Sequence, residues 1–315
     1  MRFLGTGSAL PERVVTNDEL ATILDTSDKW ITQRTGIRSR HVLTDEHLED
    51  LAALAAGRAL EDAGLDPGEI DYFICSNVVD DYPTPSLCSL VSERLGLTCP
   101  CIDINCACAG FVYALDIAEC RYEAGKARNI LIVCADAPTR MCDWRDRSTS
   151  VLFGDGAGAV VLGPGDNIRA IKLTSKPDMQ KLWQRSRQMP TPFYKGEDVD
   201  TGLQMAGGEV FRYAVDTCSA DVQALLAETG LGKEDISYYL IHQANQRITD
   251  AIRRFLDEPE WKFPSNISDH GNSSSASCTI LLDECRRSGL FERGDIIVLS
   301  AFGAGLLSGT AVVQW

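Results

Sequence analysis

Asp103-Ile104-Asn105-Cys106-Ala107-Cys108-Ala109-Gly110-Phe111 reads as an apolar strand that runs into small residues and then a helix. Ala107, Ala109 and Gly110 let the backbone turn sharply and let a substrate come close. A thiol at the start of a helix faces unpaired N–H groups and the positive end of the helix dipole, and both favour the thiolate. The expectation is a strand–elbow–helix nucleophile at Cys108, with a lowered thiol pKa.

Outward from this stretch, the chain repeats itself. Gly64-Leu-Asp-Pro-Gly-Glu-Ile-Asp-Tyr-Phe-Ile-Cys75 resembles Gly230-Leu-Gly-Lys-Glu-Asp-Ile-Ser-Tyr-Tyr-Leu-Ile241 at an offset of 166 residues. Cys108 stands 17 residues before Gly125, and Asn272 stands 17 residues before Gly289, at an offset of 164. Gly154–Leu162 and Gly303–Val313 are both glycine-rich turns leading into a final strand. This period is too long for a solenoid and indicates two similar domains, residues 1–165 and 166–315, packed face to face. It puts Cys108 and Asn272 at equivalent elbows.

Strand and helix patterns alternate through both halves, which predicts α/β domains built on parallel sheets with covering helices. Helices are expected over 17–24, 48–63, 86–95, 109–123, 208–229, 245–256 and 274–287. Strands are expected over 70–77, 101–105, 130–136, 158–162, 238–242, 296–301 and 310–314. The polar, proline-broken stretch 178–201 reads as an excursion over a substrate mouth.

Composition narrows the function. The chain has 315 residues, 44% of them hydrophobic, and its mean hydropathy of −0.08 is that of a soluble globular protein. No apolar run reaches the ~18 residues that span a membrane. Met1-Arg-Phe-Leu-Gly-Thr-Gly7 lacks the apolar core of a signal peptide, so a cytoplasmic protein is expected. Twelve cysteines in such a chain are read as reduced thiols, mostly small core residues. With no C-x-x-C pair among them, no metal centre is expected.

A net charge of −15 argues against nucleic-acid and anionic-membrane partners. Against that background the basic cluster Arg212, Arg247, Arg253 and Arg254 has two readings. It is either a set of ordinary solvated arginines or a docking patch for an acidic protein.

Two further residues join Cys108. His242 ends the apolar strand of Leu240-Ile-His-Gln-Ala-Asn245, and ligands gather at the carboxyl ends of strands in open α/β sheets. Alone, it reads equally as a satisfied core histidine. Asn272 lies in a tight turn that opens a helix, where alone it reads as a cap. The repeat lets both face Cys108 across one cleft. A thiolate then takes an acyl group, while the imidazole and the amide donate to an enolate oxygen. The turn Phe302-Gly-Ala-Gly305 supplies a backbone N–H for a thioester oxyanion.

With these residues assembled, the chain resembles the beta-ketoacyl-acyl carrier protein synthase III family of the thiolase superfamily over essentially its whole length. The segments that carry the resemblance are Asp103–Phe111, Ile241-His-Gln-Ala-Asn245, His270-Gly-Asn-Ser-Ser-Ser-Ala276 and Phe153-Gly-Asp-Gly-Ala-Gly158. It implies a thiolase-like fold of two pseudo-symmetric halves in an αβαβα arrangement, with Cys108 rather than Cys106 as the acylated residue. It implies a coenzyme A site in Trp30-Ile-Thr-Gln-Arg-Thr-Gly36, with Trp30 and Arg147 holding the adenine between them and Arg34 beside the phosphates. Trp30 alone also reads as a surface-helix anchor.

Related enzymes are set apart by residue. There is no second cysteine in 300–309, as thiolases need. The second histidine of elongating synthases is replaced by Asn272. The loop 76–86 has no glutamate, as hydroxymethylglutaryl-coenzyme A synthases need. Chalcone synthases share the three residues but are longer.

The resemblance implies that an acyl-coenzyme A loads Cys108 and a malonyl-acyl carrier protein then condenses with loss of CO₂, as at the start of fatty acid synthesis. His242 and Asn272 would hold the enolate oxygen, and the Cys108 and Ala304 N–H groups would form the oxyanion hole. Phe302 would shield the departing carboxylate. Thr84 stands where some members carry a phenylalanine, which implies a roomier acyl pocket. Members are homodimers, for which Pro83–Leu97 would suit the interface, and acyl-coenzyme A is a substrate rather than a cofactor. The alternatives are an acyltransferase or condensing enzyme of specialised metabolism with the same acyl-cysteine, and a non-catalytic acyl-carrier-binding protein.

Overall fold

The computed structural model describes residues 1–186, 190–194 and 202–315. In chain order, the elements that frame the site begin with β1 (Arg2–Ala9), α1 (Asp28–Thr35), α2 (Leu48–Ala63) and β2 (Tyr72–Ser76). Then come α3 (Leu87–Leu95), β3 (Cys101–Ile104), α4 (Gly110–Glu123), β4 (Ile130–Asp136) and β5 (Gly156–Gly163). The second half contributes β6 (Ile168–Ser175), α5 (Gly207–Thr229), β7 (Ile236–Ile241), α6 (Gln246–Leu256), α7 (Ala276–Arg287), β8 (Ile296–Gly303) and β9 (Leu307–Gln314).

The first sheet has the order β1-β5-β4-β2-β3 and the second β6-β9-β8-β7. The sheets are mixed rather than parallel as expected. β2 runs parallel to β3 and β4, and β7 parallel to β8, but β5, β1, β9 and β6 all join antiparallel. The reason is local. The tight turn between Gly303 and Leu307 returns β9 as the hairpin partner of β8, while the parallel pairs are joined through helices.

Three apolar clusters define five layers. α2 and α3 pack on one face of the first sheet through Ala52, Ala55, Ala59, Phe73 and Val133. α4 and α7 lie between the sheets, against Ile74, Ile132, Leu240 and Leu299. α5 and α6 cover the far face of the second sheet at Tyr239, Ile241 and Val298. The sequence Ala52-x-x-Ala55-Ala56-x-x-Ala59 keeps one side of α2 small, so β1 can lie directly on it. A Cβ on Gly5 would meet the Ala59 carbonyl at 2.3 Å. That close approach is why β1, poor in large apolar residues, carried no strand signal. The helix α7 is stitched to β1 by Asp283, which accepts from the Thr6 and Ser8 hydroxyls at 2.7 and 2.6 Å.

All twelve cysteines carry free thiols. Among the described residues, no helix is long and apolar enough to cross a membrane. Residues 187–189 and 195–201 of the stretch read as an excursion over the mouth lie outside the described residues.

Candidate active site

Cys108 sits between the end of β3 and the start of α4, in a short helical turn, Ala107–Ala109. Ala107 takes the left-handed conformation, with φ of 48°, and this turns the chain out of the strand. Across the molecule Ser274 does the same, with φ of 56°, just before α7. For residues other than glycine this conformation costs about 1–3 kcal/mol and is found where a site needs it. The two turns correct the predicted pairing of elbows. Matching them pairs Cys108 with Ser275 and Asn272 with Asn105, not Cys108 with Asn272. Glycine spacing past the helices misplaced the elbow chiefly because α4, at 14 residues, is longer than α7, at 12.

The end of β8 lies against the Cys108 elbow. A Cβ on Gly303 would come within 2.7 Å of the Cys108 nitrogen and 2.9 Å of the Ala107 Cβ. Only glycine lets the strand end approach so closely. Phe302, buried in the preceding position, packs edge-on against the His242 ring with centroids 5.4 Å apart. His242 follows β7 directly, and its backbone N–H bonds the Ser300 carbonyl of β8 at 2.8 Å. Ala304 is half-buried at the β8–β9 turn.

Asn272 is buried and held by its own backbone. Its N–H donates to the Leu152 carbonyl at 2.9 Å, and its carbonyl accepts from Gly154 N–H at 3.1 Å. Its Oδ1 accepts from Ser274 N–H at 2.9 Å, which leaves the Nδ2 hydrogens to point away from the turn as donors.

The electrostatics depart from expectation at the thiol. Burial pushes Cys108 up to about 12; a hydrogen bond from Ser274 opposes the rise and the nearby charge of Asp136 adds to it. Burial therefore outweighs the helix terminus, and the resting nucleophile is a neutral thiol. Burial also drives His242 down to about 3, so its imidazole is neutral and carries a single N–H. Its Nδ1 lies 2.6 Å from the Ser277 hydroxyl.

Sequence reasoning missed Ser277, Ser274, Ser275 and Asp136. Asp136 ends β4, fully buried, and accepts from Val78 N–H at 2.6 Å, Val79 N–H at 3.3 Å and the Ser275 hydroxyl at 3.1 Å. The signals were present as an acidic residue closing an apolar strand and a serine run beside Asn272. Neither announces which side chain turns inward.

At the surface, α1 carries Trp30, capped by the Ser27 hydroxyl, which accepts from Trp30 N–H at 3.2 Å. The guanidinium carbons of Arg34 and Arg147 lie 4.8 and 5.0 Å from the centre of its indole. Arg147 also hydrogen-bonds the Asp25 carbonyl. Thr84 is exposed on the loop between β2 and α3.

Of the four arginines, Arg212, Arg247 and Arg254 are exposed, and Arg247 lies 6.0 Å over Phe211. Arg253 departs from the patch. It is half-buried, and its guanidinium donates to the Glu258 carbonyl at 3.5 Å, tying down the end of α6.

Comparison with known proteins gives concordant results. The family model described as 3-oxoacyl-[acyl-carrier-protein (ACP)] synthase III matches residues 102–177, and the model of its C-terminal part matches residues 226–315. A beta-ketoacyl-[acyl-carrier-protein] synthase III of Xanthomonas campestris pv. campestris is 42% identical, across 100% of this chain and 98% of the relative. One of Clostridium acetobutylicum is 38% identical over the same shares. The crystal structure of 3-oxoacyl-[acyl-carrier-protein] synthase III from Aquifex aeolicus superposes with a TM-score of 0.93 at 37% identity, covering 100% of this chain and 99% of that one. The priming beta-ketosynthase of the R1128 polyketide pathway gives 0.92 at 36% identity, covering 99% and 95%.

Proposed function

This chain belongs to the 3-oxoacyl-[acyl-carrier-protein] synthase III family, a family of condensing enzymes with the thiolase fold, and from that premise we propose how its own residues divide the reaction. The enzyme joins an acyl-coenzyme A to malonyl-acyl carrier protein, releasing coenzyme A and CO₂ and leaving 3-ketoacyl-acyl carrier protein. One half, residues 1–165, brings the nucleophile Cys108. The other, residues 166–315, brings His242 and Asn272.

In the first step the Cys108 sulfur forms a bond to the acyl carbon, the bond to coenzyme A breaks, and the thiol proton ends on the departing coenzyme A sulfur. The developing oxyanion accepts from the Cys108 and Ala304 N–H groups. In the second, malonyl-carrier protein loses CO₂. The His242 and Asn272 N–H donors hold the enolate oxygen, and Phe302 turns its apolar ring to the departing carboxylate. The enolate carbon then attacks the acyl-Cys108 thioester, and the thiolate leaves and regains a proton. The observation that carries this reading is Gly303 pressed against the Cys108 amide, with Phe302 beside it on the His242 ring. That contact supports a single cleft shared by nucleophile and donors.

Trp30, Arg34 and Arg147 form the coenzyme A subsite. The adenine enters between the indole and Arg147, and Arg34 neutralises phosphate. No resident cofactor is required, since the acyl-coenzyme A is consumed. Arg212, Arg247 and Arg254 on α5 and α6 receive the acidic carrier, while Arg253 contributes through the end of α6. A local basic patch is needed because the chain as a whole carries −15.

The enzyme works in the cytoplasm as a homodimer. β3 is an edge strand with Ile102 exposed, and the segment 83–97 flanks it. A second copy there would also cover Thr84 and complete an acyl pocket roomier than one closed by phenylalanine.

The likeness to a polyketide priming enzyme favours one second reading, a condensing enzyme of specialised metabolism with the same acyl-Cys108 intermediate. A primer panel with malonyl-carrier protein tests both. Condensation with acetyl- or short branched primers supports fatty acid initiation, and condensation confined to unusual primers supports the second reading. An acyl-enzyme that forms without CO₂ release contradicts both.

A further inference from the structure

We propose that Arg40 is a positioning residue for coenzyme A, whose buried guanidinium holds the two sides of the Trp30–Arg147 clamp at a fixed spacing. The proposal rests on the reading of Trp30, Arg34 and Arg147 as the coenzyme A subsite and adds what keeps that subsite in register.

Arg40 lies in the short strand Ser39–His41, which pairs antiparallel with Val14–Thr16. It is fully buried, and its guanidinium reaches two separate segments. On one side Nη1 donates to Asn17 Oδ1 at 2.9 Å. Asn17, itself buried, carries the contact onward: its Nδ2 donates to Asp28 Oδ1 at 2.9 Å and to the Ile37 carbonyl at 2.7 Å. Asp28 opens α1 and Ile37 follows its glycine cap, so both ends of the helix that carries Trp30 are held. On the other side Nη2 donates to the Val151 carbonyl at 2.9 Å. Val151 closes the helical turn Arg147–Ser150, whose first residue is the other half of the clamp. The same segments share one apolar cluster, in which Ile31, Ile37 and Val151 pack with Trp30 and Leu152.

The choice of side chain is informative. Among the described residues no carboxylate pairs with Arg40: its partners are carbonyl and amide oxygens, and its Nε has none. Burying a cation in this way costs stability. What it supplies is geometry, because a planar guanidinium fork meets two segments at once where the ammonium of lysine is a single point. Burial lowers Arg40 to about 10, so it stays charged at neutral pH and the tie does not titrate there.

A fixed spacing matters because the clamp is closed at rest. Arg147 lies 5.0 Å over the indole, and the adenine enters only when the Arg147 side chain swings aside. With the backbone on both sides held through Arg40, that movement is confined to one side chain, and the guanidinium returns onto the bound base.

The test compares wild type, Arg40→Met and Asn17→Ala as full-length enzymes, with Trp30→Ala and Arg147→Ala as references. Single-turnover acylation of Cys108 is followed against the concentration of acetyl-coenzyme A and of acetyl-pantetheine, which lacks the adenine. The Trp30 indole N–H resonance, assigned by its loss in Trp30→Ala, reports on the clamp without substrate. The tie predicts that half-saturation by acetyl-coenzyme A needs about tenfold more substrate in Arg40→Met and Asn17→Ala, the scale of one misaligned stacking contact. The saturating rate and the response to acetyl-pantetheine stay at wild-type values, and the Trp30 resonance moves toward its position in Arg147→Ala. A residue that only supports the fold would lower the rate with both donors alike at unchanged half-saturation, and that result overturns the proposal. So does a Trp30 resonance that does not move toward the Arg147→Ala position. Should Arg40→Met fail to fold, Asn17→Ala decides, since it cuts only the Trp30 side and keeps the bond to Val151. If Trp30→Ala uses acetyl-coenzyme A as the wild type does, the subsite reading fails. The Trp30 resonance then decides the tie, displaced in both variants if Arg40 spaces the two segments and unmoved if it does not.

Discussion

The Ser277 hydroxyl lies 2.6 Å from Nδ1 of His242 and accepts the Gln243 N–H at 3.3 Å. For His242 to donate from Nε2, the Ser277 hydroxyl must give its proton to Nδ1, which its acceptance of the Gln243 N–H leaves it able to do. A neutral imidazole so held carries its own proton on Nε2. A donor to an enolate oxygen must have that proton in place before the substrate arrives.

Replacing Ser277 by alanine therefore slows condensation while leaving acylation of Cys108 intact. The expected loss is about tenfold in kcat, or about 1.4 kcal/mol, the scale of one net hydrogen bond. Nitrogen NMR of the imidazole is the accompanying readout. It should show a mixture of tautomers in the variant and a single one in the wild type.

Asn272→Ala separates the two half-reactions. Acyl-Cys108 should form at nearly the wild-type rate, while CO₂ release from malonyl-carrier protein falls about 100- to 1000-fold, the effect of removing one preorganised donor. Equal loss of both steps would remove the division of labour between Cys108 and Asn272.

Gly303→Ala is a severe test of the contact between the halves. Its Cβ would stand 2.7 Å from the Cys108 nitrogen, so β8 or the elbow must move. The variant should lose about 1–3 kcal/mol of stability and most of its acylation activity, because overpacking displaces the N–H groups that meet the oxyanion. Denaturant unfolding and acyl-enzyme mass spectrometry measure the two losses.

Trp30→Ala should raise the KM for acyl-coenzyme A about tenfold at nearly constant kcat, as expected for stacking worth about 1–2 kcal/mol. Acyl-pantetheine, which lacks the adenine, should show no such change.

The acid stability of the protein should carry the signature of His242. Its folded value, about 3, lies below its ordinary 6.5, so the unfolded chain binds a proton that the native site refuses. The stability linked to it is present above about 6.5 and is lost as pH falls toward 3. Denaturation midpoints of wild type and His242→Gln should diverge through that window. The wild type should lose up to about 1.4 kcal/mol more per pH unit.

Much of this site is local in the chain and was legible there. The span of α2, Leu48–Ala63, follows from its apolar spacing and the glycine that ends it, Gly64 at φ of 66°. Cys108 stands out because its turn needs small neighbours, and His242 because a strand ends on it. What was hidden depends on contacts between distant segments. β1 is a strand because α2 presents alanines to Gly5 and Gly7. The thiol is raised rather than lowered because burial outweighs the helix terminus. Ser277 and Asp136 gain their roles only when α7 and β4 bring them to the elbows. Arg253 looked like its neighbour Arg254, and only the end of α6 distinguishes them.

The most direct test of the account is mass spectrometry of the carrier protein after incubation with enzyme, malonyl-carrier protein and acyl-coenzyme A primers. The account predicts a 3-ketoacyl-carrier product that is absent in Cys108→Ser and Asn272→Ala. Acylated Cys108 with no 3-ketoacyl product on the carrier would contradict it.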